Sequence, residues 1–199
     1  NFYIDIYEVT NALYKTCVDA KFCSPPANIN SSTRENYYNN LTFDNYPVIA
    51  IDWNQANTYC EWRGARLPIE PEWEKAARGG LEKKTYPWGD EKPICHYGEI
   101  NGARFNDGGQ CNAIDAVQVG SYKPNNYGLY DMAGNVWEWS ADWYEPYPNN
   151  TISDSNYTET YRVLRGGSWN NSPDYLRVSY RYPWIPAFIS NHIGFRCVR

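Results

Sequence analysis

The chain has 199 residues, a net charge of -5 and a pI near 5.1, which fit one well-buried domain without the basic stripe that nucleic-acid binding requires. No run approaches the roughly 18 apolar residues of a membrane-spanning helix, so we expect no membrane insertion. Aromatic residues make up 17% of the chain while the mean hydropathy is -0.72, as in a loop-rich fold that buries large rings. We therefore predict a single domain over residues 1–199.

The N-terminal part of the chain predicts two strands around one helix. Residues 2–7 alternate and are mostly β-branched or aromatic, which is typical of a strand. Thr10 is a suitable N-cap residue, and apolar positions after it recur at helical spacing to about Ala20. Residues 24–46 are polar and rich in Asn and Ser, as in a surface loop. Residues 47–51 are a short apolar run that predicts a buried strand.

Two further helices are predicted next. Asp52 can cap a helix that runs to Arg63 and ends at Gly64, because glycine readily adopts the conformation required just after a helix. The other begins near Pro71 and stops before Gly79. Beyond these two helices the sequence is dominated by turn residues and short strands. This order of two helices, then a long irregular aromatic region with short antiparallel strands, predicts a compact, loop-rich α+β domain.

Six cysteines allow 15 complete pairings, and sequence alone does not choose among them. One pair is close in sequence, one pair flanks a Gly/Asn/Asp-rich segment, and two cysteines are left over. The pairing that we favour is Cys17–Cys23, Cys95–Cys111 and Cys60–Cys197. An even count without a CxxC pair favours disulfides over zinc, whereas reduced cysteines in a cytosolic protein are the alternative. We therefore expect an extracellular or cell-surface protein.

A series of motifs follows in one order along almost the whole chain. The most specific of them are Arg66-Leu67-Pro68, Glu72-Trp73-Glu74, Ala76-Ala77-Arg78-Gly79, Tyr86-Pro87-Trp88-Gly89, Gly134-Asn135-Val136-Trp137-Glu138-Trp139, Arg165-Gly166-Gly167-Ser168-Trp169 and Gly194-Phe195-Arg196-Cys197. Together they resemble the sulfatase-modifying, formylglycine-generating-enzyme family, whose fold is a variant of the C-type lectin fold. The resemblance covers about Tyr3 to Arg199 and implies the same fold for this chain.

The resemblance also points to an active site whose key residues are missing. In the enzyme, two cysteines that follow the Gly-Gly-Ser-aromatic motif oxidise a substrate cysteine and bind copper. The equivalent positions here are Asn171 and Leu176, which can neither form a thiolate nor ligate Cu(I). Related iron-dependent enzymes need several histidine ligands, and this chain has only His96 and His192. We therefore predict a non-catalytic protein that binds no copper, with a divergent formylglycine-generating oxidoreductase as the alternative.

A structural calcium site is a further implication of the resemblance. In this sequence it would use side-chain oxygens of Asp131 and Glu138 and the carbonyl groups of Gly134 and Val136. Hard oxygen ligands on a glycine-containing turn suit Ca²⁺. The alternative is that both carboxylates only satisfy buried backbone amides. A second calcium site of the family is not expected, because the segment around Asn101 to Asp115 departs from its pattern.

The C-terminal segment, residues 166–198, resembles the variable proteins of diversity-generating retroelements. Diversification in that group acts on adenines, so AAC codons for asparagine scatter into a limited set of amino acids. The residues here that belong to this set are Asn170, Asn171, Asp174, Tyr175, Tyr180, Tyr182, Ile185, Phe188, Ile189, Ser190, Asn191 and His192. Trp184 is not reachable from AAC, and we add it to the predicted surface for its aromatic ring.

This composition favours a ligand-binding surface. Tyr and Trp give large rigid contact area at a low entropy cost, while Ser, Asn and His add adaptable hydrogen bonds. The alternative is that these rings belong to the core. We predict a monomeric display protein that binds a protein or another macromolecule through this segment, with an accessory sensor or adhesion domain of a larger chain as a further alternative.

Overall fold

The computed structural model describes residues 1–146 and 159–199, and within them it is an α+β fold with three helices and one small sheet. The helices are α1 (Asn11–Asp19), α2 (Trp53–Trp62) and α3 (Glu70–Arg78), and the strands are β1 (Trp137–Trp143), β2 (Arg162–Arg165), β3 (Tyr182–Trp184) and β4 (Ile193–Gly194). Short 3-10 turns cover Leu41–Phe43 and Pro173–Leu176. The predicted fold class is confirmed.

The three helices begin and end where capping residues place them. The Thr10 side chain accepts a hydrogen bond from the backbone N–H of Leu13 at the start of α1. Asp52 and Gln55 form a reciprocal capping box at the start of α2. The α3 helix ends at Gly79, whose φ of 55° is left-handed. These helix predictions are confirmed to within a residue or two at each end.

The two predicted N-terminal strands are wrong. Residues 2–7 form a single bridge, from Ile4 to Val198, flanked by backbone hydrogen bonds to Arg199 and Cys197. They do not continue as a strand, because the chain bends at Ile6 and the carbonyl groups of Asp5 and Ile6 accept hydrogen bonds from a buried guanidinium. In residues 47–51 only Pro47 pairs, in a single bridge. Ala50 has a φ of 57°, which breaks the extended conformation that a strand requires.

The sheet has the strand order β3-β2-β1-β4, with β4 parallel to β1 and the other pairs antiparallel. One face of the sheet carries Trp139 and Leu164, which join the main buried cluster together with Tyr59 of α2. On the other face, the indole N–H of Trp73 from α3 donates to Glu138 of β1 at 2.7 Å. The two faces therefore differ: one is aromatic and apolar, and the other holds buried charges.

All six cysteines of the sequence are paired, in the predicted combination. The bonds are Cys17–Cys23, Cys60–Cys197 and Cys95–Cys111. The second of these connects α2 to the C-terminal residues over a sequence separation of 137. Among the described residues, no helix is long and apolar enough to cross a membrane.

Candidate ligand-binding face

The C-terminal segment starts with two glycines that let the chain turn tightly against its neighbours. Gly166 and Gly167 have φ values of 93° and 74°, which favour glycine. A Cβ atom on Gly167 would lie 2.9 Å from the Leu176 side chain and 3.0 Å from the carbonyl oxygen of Tyr175. The Gly-Gly-Ser motif is therefore required by backbone geometry, independently of any catalytic chemistry.

Beyond this turn, six rings gather on one face of the sheet, and we call them the aromatic face. They are Trp137, Tyr175, Tyr180, Tyr182, Trp184 and Phe188. The ring of Tyr182 stacks on the buried Trp137 at 5.4 Å, and Trp184 stacks on Phe188 at 4.0 Å. The fixed sheet residue Trp137 thus forms the base on which rings from the C-terminal segment are packed.

The aromatic face is half-buried. Its five C-terminal rings pack against the main core on one side and keep part of their surface exposed. Next to them, Ile185 and Ile189 are exposed to 44% and 38%. The predicted residues on the flanking loops are also at the surface: Asn170 and Asp174 are exposed, and Asn171, Ser190, Asn191 and His192 are partly exposed.

Both ends of the segment after β3 are held by backbone hydrogen bonds. The carbonyl oxygen of Pro186 accepts from the N–H of Trp53, and that of Ser190 accepts from the N–H of Ala50. The N–H of Phe188 donates to the carbonyl oxygen of Ile185 and closes a turn between these anchors. The exposed isoleucines therefore sit on a loop whose backbone position is fixed.

A stacked arginine at the edge of the aromatic face was not predicted from the sequence. The guanidinium of Arg162 on β2 lies 3.8 Å from the ring centre of Trp53 and 3.4 Å from that of Trp143. Arg162 is also directly opposite Trp184 in the β2–β3 register. The alternation Arg162-Val163-Leu164-Arg165 puts Arg162 on the same face as Leu164, but the register of three strands is needed to bring the tryptophans to it.

The two positions that hold cysteines in the enzyme are built into the scaffold here. The Oδ1 atom of Asn171 accepts hydrogen bonds from the backbone N–H and the hydroxyl of Ser168, at 3.1 and 2.6 Å. Leu176 is fully buried and packs in a cluster with Phe105 and Tyr86. One position therefore pins the Gly-Gly-Ser turn and the other fills the core.

On the opposite face of the sheet, two arginines hold the backbone of the segment. Arg165 is fully buried and donates to Glu74 of α3 at 2.6 Å and to the carbonyl oxygen of Tyr180 at 2.8 Å. Arg181 forms hydrogen bonds with both carboxylate oxygens of Glu70. These contacts connect α3 to the residues immediately before β3.

The predicted calcium ligands are only partly available. Glu138 is buried, and both of its oxygens accept hydrogen bonds from the guanidinium of Arg196, at 2.7 and 2.8 Å. Asp131 is better suited, because its Oδ1 atom is buried and has no hydrogen-bond partner among the described residues. Gly134 and Val136 lie on the turn between these two carboxylates. The residues therefore fit a calcium ion only if Glu138 exchanges one of its bonds to Arg196.

A third buried carboxylate adds to the negative charge of this region. Glu8 accepts hydrogen bonds from the Asn135 side chain and from the backbone N–H of Val136. Burial raises the pKa of Asp131 to about 6 and raises that of Glu8 well above its usual range. Within residues 1–146 and 159–199, no group of three or more His, Cys, Asp or Glu side chains is arranged to hold a metal ion. Calcium binding stays a prediction.

Comparison with known protein families places this chain. The sulfatase-modifying factor enzyme 1-like domain matches residues 1–199. The chain belongs to this family. Its relatives include the formylglycine-generating enzyme of Streptomyces coelicolor, 40% identical over 77% of this chain and 52% of the enzyme, and the inactive C-alpha-formylglycine-generating enzyme 2 of Mus musculus, 41% identical over 76% and 48%.

Another relative is the serine/threonine-protein kinase pkn1 of Chlamydia pneumoniae, which is 35% identical over 100% of this chain and 33% of the kinase. The chain thus spans between a third and about half of the length of these curated relatives. Among solved structures, Treponema denticola variable protein 1 matches with a TM-score of 0.69 and 25% identity, over 99% of this chain and 84% of that one. PvdO from Pseudomonas aeruginosa matches with a TM-score of 0.76 and 26% identity, over 100% and 80%.

Proposed function

We propose that this protein is a non-catalytic ligand-binding protein, diversified by a retroelement, that contacts a macromolecule through the aromatic face. The observation that carries the proposal is which residues of the C-terminal segment are exposed and which are buried. The residues predicted to vary all lie at least partly exposed around the aromatic face. Of the two positions that hold cysteines in the enzyme, Asn171 belongs to this set and also bonds Ser168, while Leu176 is buried in the core.

The physical properties of the face support binding. Its rings are already ordered against Trp137 and against each other, so a partner would meet rigid aromatic surface and little side-chain entropy would be lost. Partly exposed Tyr and Trp side chains are also enriched among residues that dominate binding energy. The segment backbone is held from behind by Arg165 and Arg181, which lets side chains vary without moving the chain.

The comparisons support the same proposal at the level of the family. One relative is named as an inactive member, and one structural neighbour is named as a variable protein. Opposing it, formylglycine-generating enzymes are also relatives, with 40% identity in one case. All six cysteines here are in disulfides, so a thiol pair for Cu(I) would require one of those bonds to be reduced.

Two measurements test this proposal. Sequencing the DNA around the gene should find a reverse transcriptase and a near-copy of the codons for residues 166–198; their absence would contradict diversification. Incubating the oxidised protein with Cu(I) and a cysteine-containing peptide should give no aldehyde by mass spectrometry, with the Streptomyces coelicolor enzyme as the positive control. Conversion of the peptide would favour the divergent oxidoreductase instead.

A second candidate is an accessory sensor or adhesion domain of a larger protein. The observation that favours it is the kinase relative, of which this chain spans 33%. In either case we propose an extracellular or cell-surface location, because three disulfides are typical of an oxidising compartment. Recovery of the full-length gene separates the two candidates, because only the second requires a further domain in the same chain.

A further inference from the structure

Arg162, at one end of the aromatic face, has no ion-pair partner among the described residues. No carboxylate oxygen of residues 1–146 or 159–199 lies within 4.0 Å of its guanidinium. The guanidinium is stacked between Trp53 and Trp143, its Nη1 donates to the carbonyl oxygen of Ala141, and its Nε is buried without a hydrogen-bond partner. Stacking thus orients the group, while no carboxylate in the part of the chain that the structure describes forms a direct ion pair with it.

The electrostatic surroundings of Arg162 favour an added anion. Asp142 and Glu159 attract the guanidinium through space, but desolvation is the larger effect and lowers the pKa of Arg162 from its ordinary value. Its charged form is therefore less favourable here than in water, despite those two carboxylates. An anion brought next to such a partly desolvated cation is stabilised more strongly than beside a fully solvated one.

A second arginine, Arg177, lies at the other end of the same face. Arg177 is exposed, its guanidinium lies 5.8 Å from the ring centre of Tyr180, and its Nε donates to the carbonyl oxygen of Asp174. In the part of the chain that the structure describes, it forms no ion pair. From Tyr180 the rings continue through Tyr182, at 6.5 Å, and then through a Tyr182–Trp184 contact of 5.9 Å toward Arg162.

We propose that the partner of the aromatic face is an acidic protein segment whose carboxylates pair with Arg162 and Arg177 while its backbone and apolar groups cover the rings between them. This inference rests on the proposed function. Two separated, stacked guanidinium groups suit individual carboxylates, whereas a nucleic acid or a sulfated polysaccharide requires a continuous basic stripe. Because the chain carries a net charge of -5, unselective attraction of acidic proteins is disfavoured and pairing must occur at these two sites.

The test is a selection of random peptides on the immobilised, oxidised protein, with heparin as a separate probe. Peptides whose binding is lost in Tyr182→Ser should be enriched in Asp and Glu. For these peptides, Arg177→Gln should weaken binding about 2- to 5-fold, as expected for an exposed ion pair. Arg162→Gln should weaken it about 10-fold, and Arg162→Lys should recover part of the loss, since a cation remains. Lys123→Gln makes the same charge change at an exposed site and should have no effect.

The outcomes separate this inference from the proposed function. Peptides that depend on Tyr182 but show no acidic enrichment, or whose affinity is unchanged in Arg177→Gln, would overturn the acidic partner and leave the aromatic face as a binding surface. Binding of heparin through Arg162 and Arg177 without any bound peptide would also overturn it. If no selected peptide depends on Tyr182, both proposals fail. Because Arg177 is exposed, its substitution gives a result even if Arg162→Gln does not fold.

Discussion

Arg181 and Glu70 form an ion pair that joins the C-terminal segment to the first turn of α3. The Nε of Arg181 donates to both carboxylate oxygens, at 2.7 and 3.0 Å, and its Nη2 donates to one of them at 2.5 Å. Nearby, Arg165 donates hydrogen bonds to Glu74 of α3 and to the carbonyl oxygen of Tyr180, and so also holds this part of the chain against α3. Two carboxylates of one helix therefore hold the backbone from which the exposed rings project.

We expect Glu70→Gln to lower the free energy of unfolding by about 1–3 kcal/mol, because the poorly exposed guanidinium of Arg181 would lose its ion pair with Glu70 and would face an amide NH2 group, which cannot accept a hydrogen bond, in place of one carboxylate oxygen. Urea denaturation measures this change. The matched control is Lys84→Gln, which breaks the exposed pair Lys84–Asp90 and should change stability little. Equal effects of the two substitutions would mean that the Arg181–Glu70 pair is no more than a surface contact.

The disulfides should differ in their contribution to stability. Replacing Cys60 and Cys197 together by alanine removes a bond with a sequence separation of 137, and loop entropy predicts a loss of about 4–5 kcal/mol. Replacing Cys17 and Cys23 opens a loop with a separation of only 6, for which the same relation predicts about 2 kcal/mol. Denaturation of both double variants under oxidising conditions tests the order, and a reversed order would contradict it.

The sequence was sufficient for the helices because their signals are local. Thr10, Asp52 and Gly79 act within a few residues of themselves, so the cap identifies the helix end without any tertiary information. The N-terminal strands failed for the opposite reason. Whether residues 2–7 or 47–51 pair as a ladder depends on neighbours far along the chain, and these provide only single bridges.

The candidate site, too, was predictable from the sequence only in part. Composition predicted that Tyr182 and its neighbours form a binding surface, because Tyr, Asn and Ser are typical binding residues, and the structure places these rings half-buried against the main core. It could not show that Trp137 supports them or that Arg162 stacks between Trp53 and Trp143. Those contacts depend on strand register and on the position of α2, which no local pattern encodes.

The calcium site predicted from the family resemblance is directly testable. We expect millimolar Ca²⁺ to raise the melting temperature of the wild type and EDTA to reverse the rise, since a ligand that binds only the folded state stabilises it. Asp131→Ala should abolish the rise, because it removes the carboxylate oxygen of the predicted site that is buried and lacks a hydrogen-bond partner among the described residues. The same rise with Mg²⁺, or in Asp131→Ala, would show that the ion acts elsewhere.

His192 should make stability depend on pH between about 4 and 6.5. Burial lowers the pKa of His192 to about 4, while a histidine in the unfolded chain has a pKa near 6.5. In this range the unfolded state binds the extra proton, so the stabilisation is complete above about pH 6.5. It is lost as the pH falls, by roughly 3 kcal/mol at about pH 4.

The measurement is the free energy of unfolding of the wild type and of His192→Gln at several pH values. We expect the free energy of unfolding of the wild type to fall relative to that of His192→Gln as the pH decreases from 6.5 to 4. Carboxylates elsewhere contribute equally to both proteins, so their effect cancels in this difference. His96→Gln is the matched control, since it replaces an exposed histidine in the same way. A constant difference between wild type and His192→Gln would mean that His192 is protonated as readily in the folded protein as in the unfolded chain.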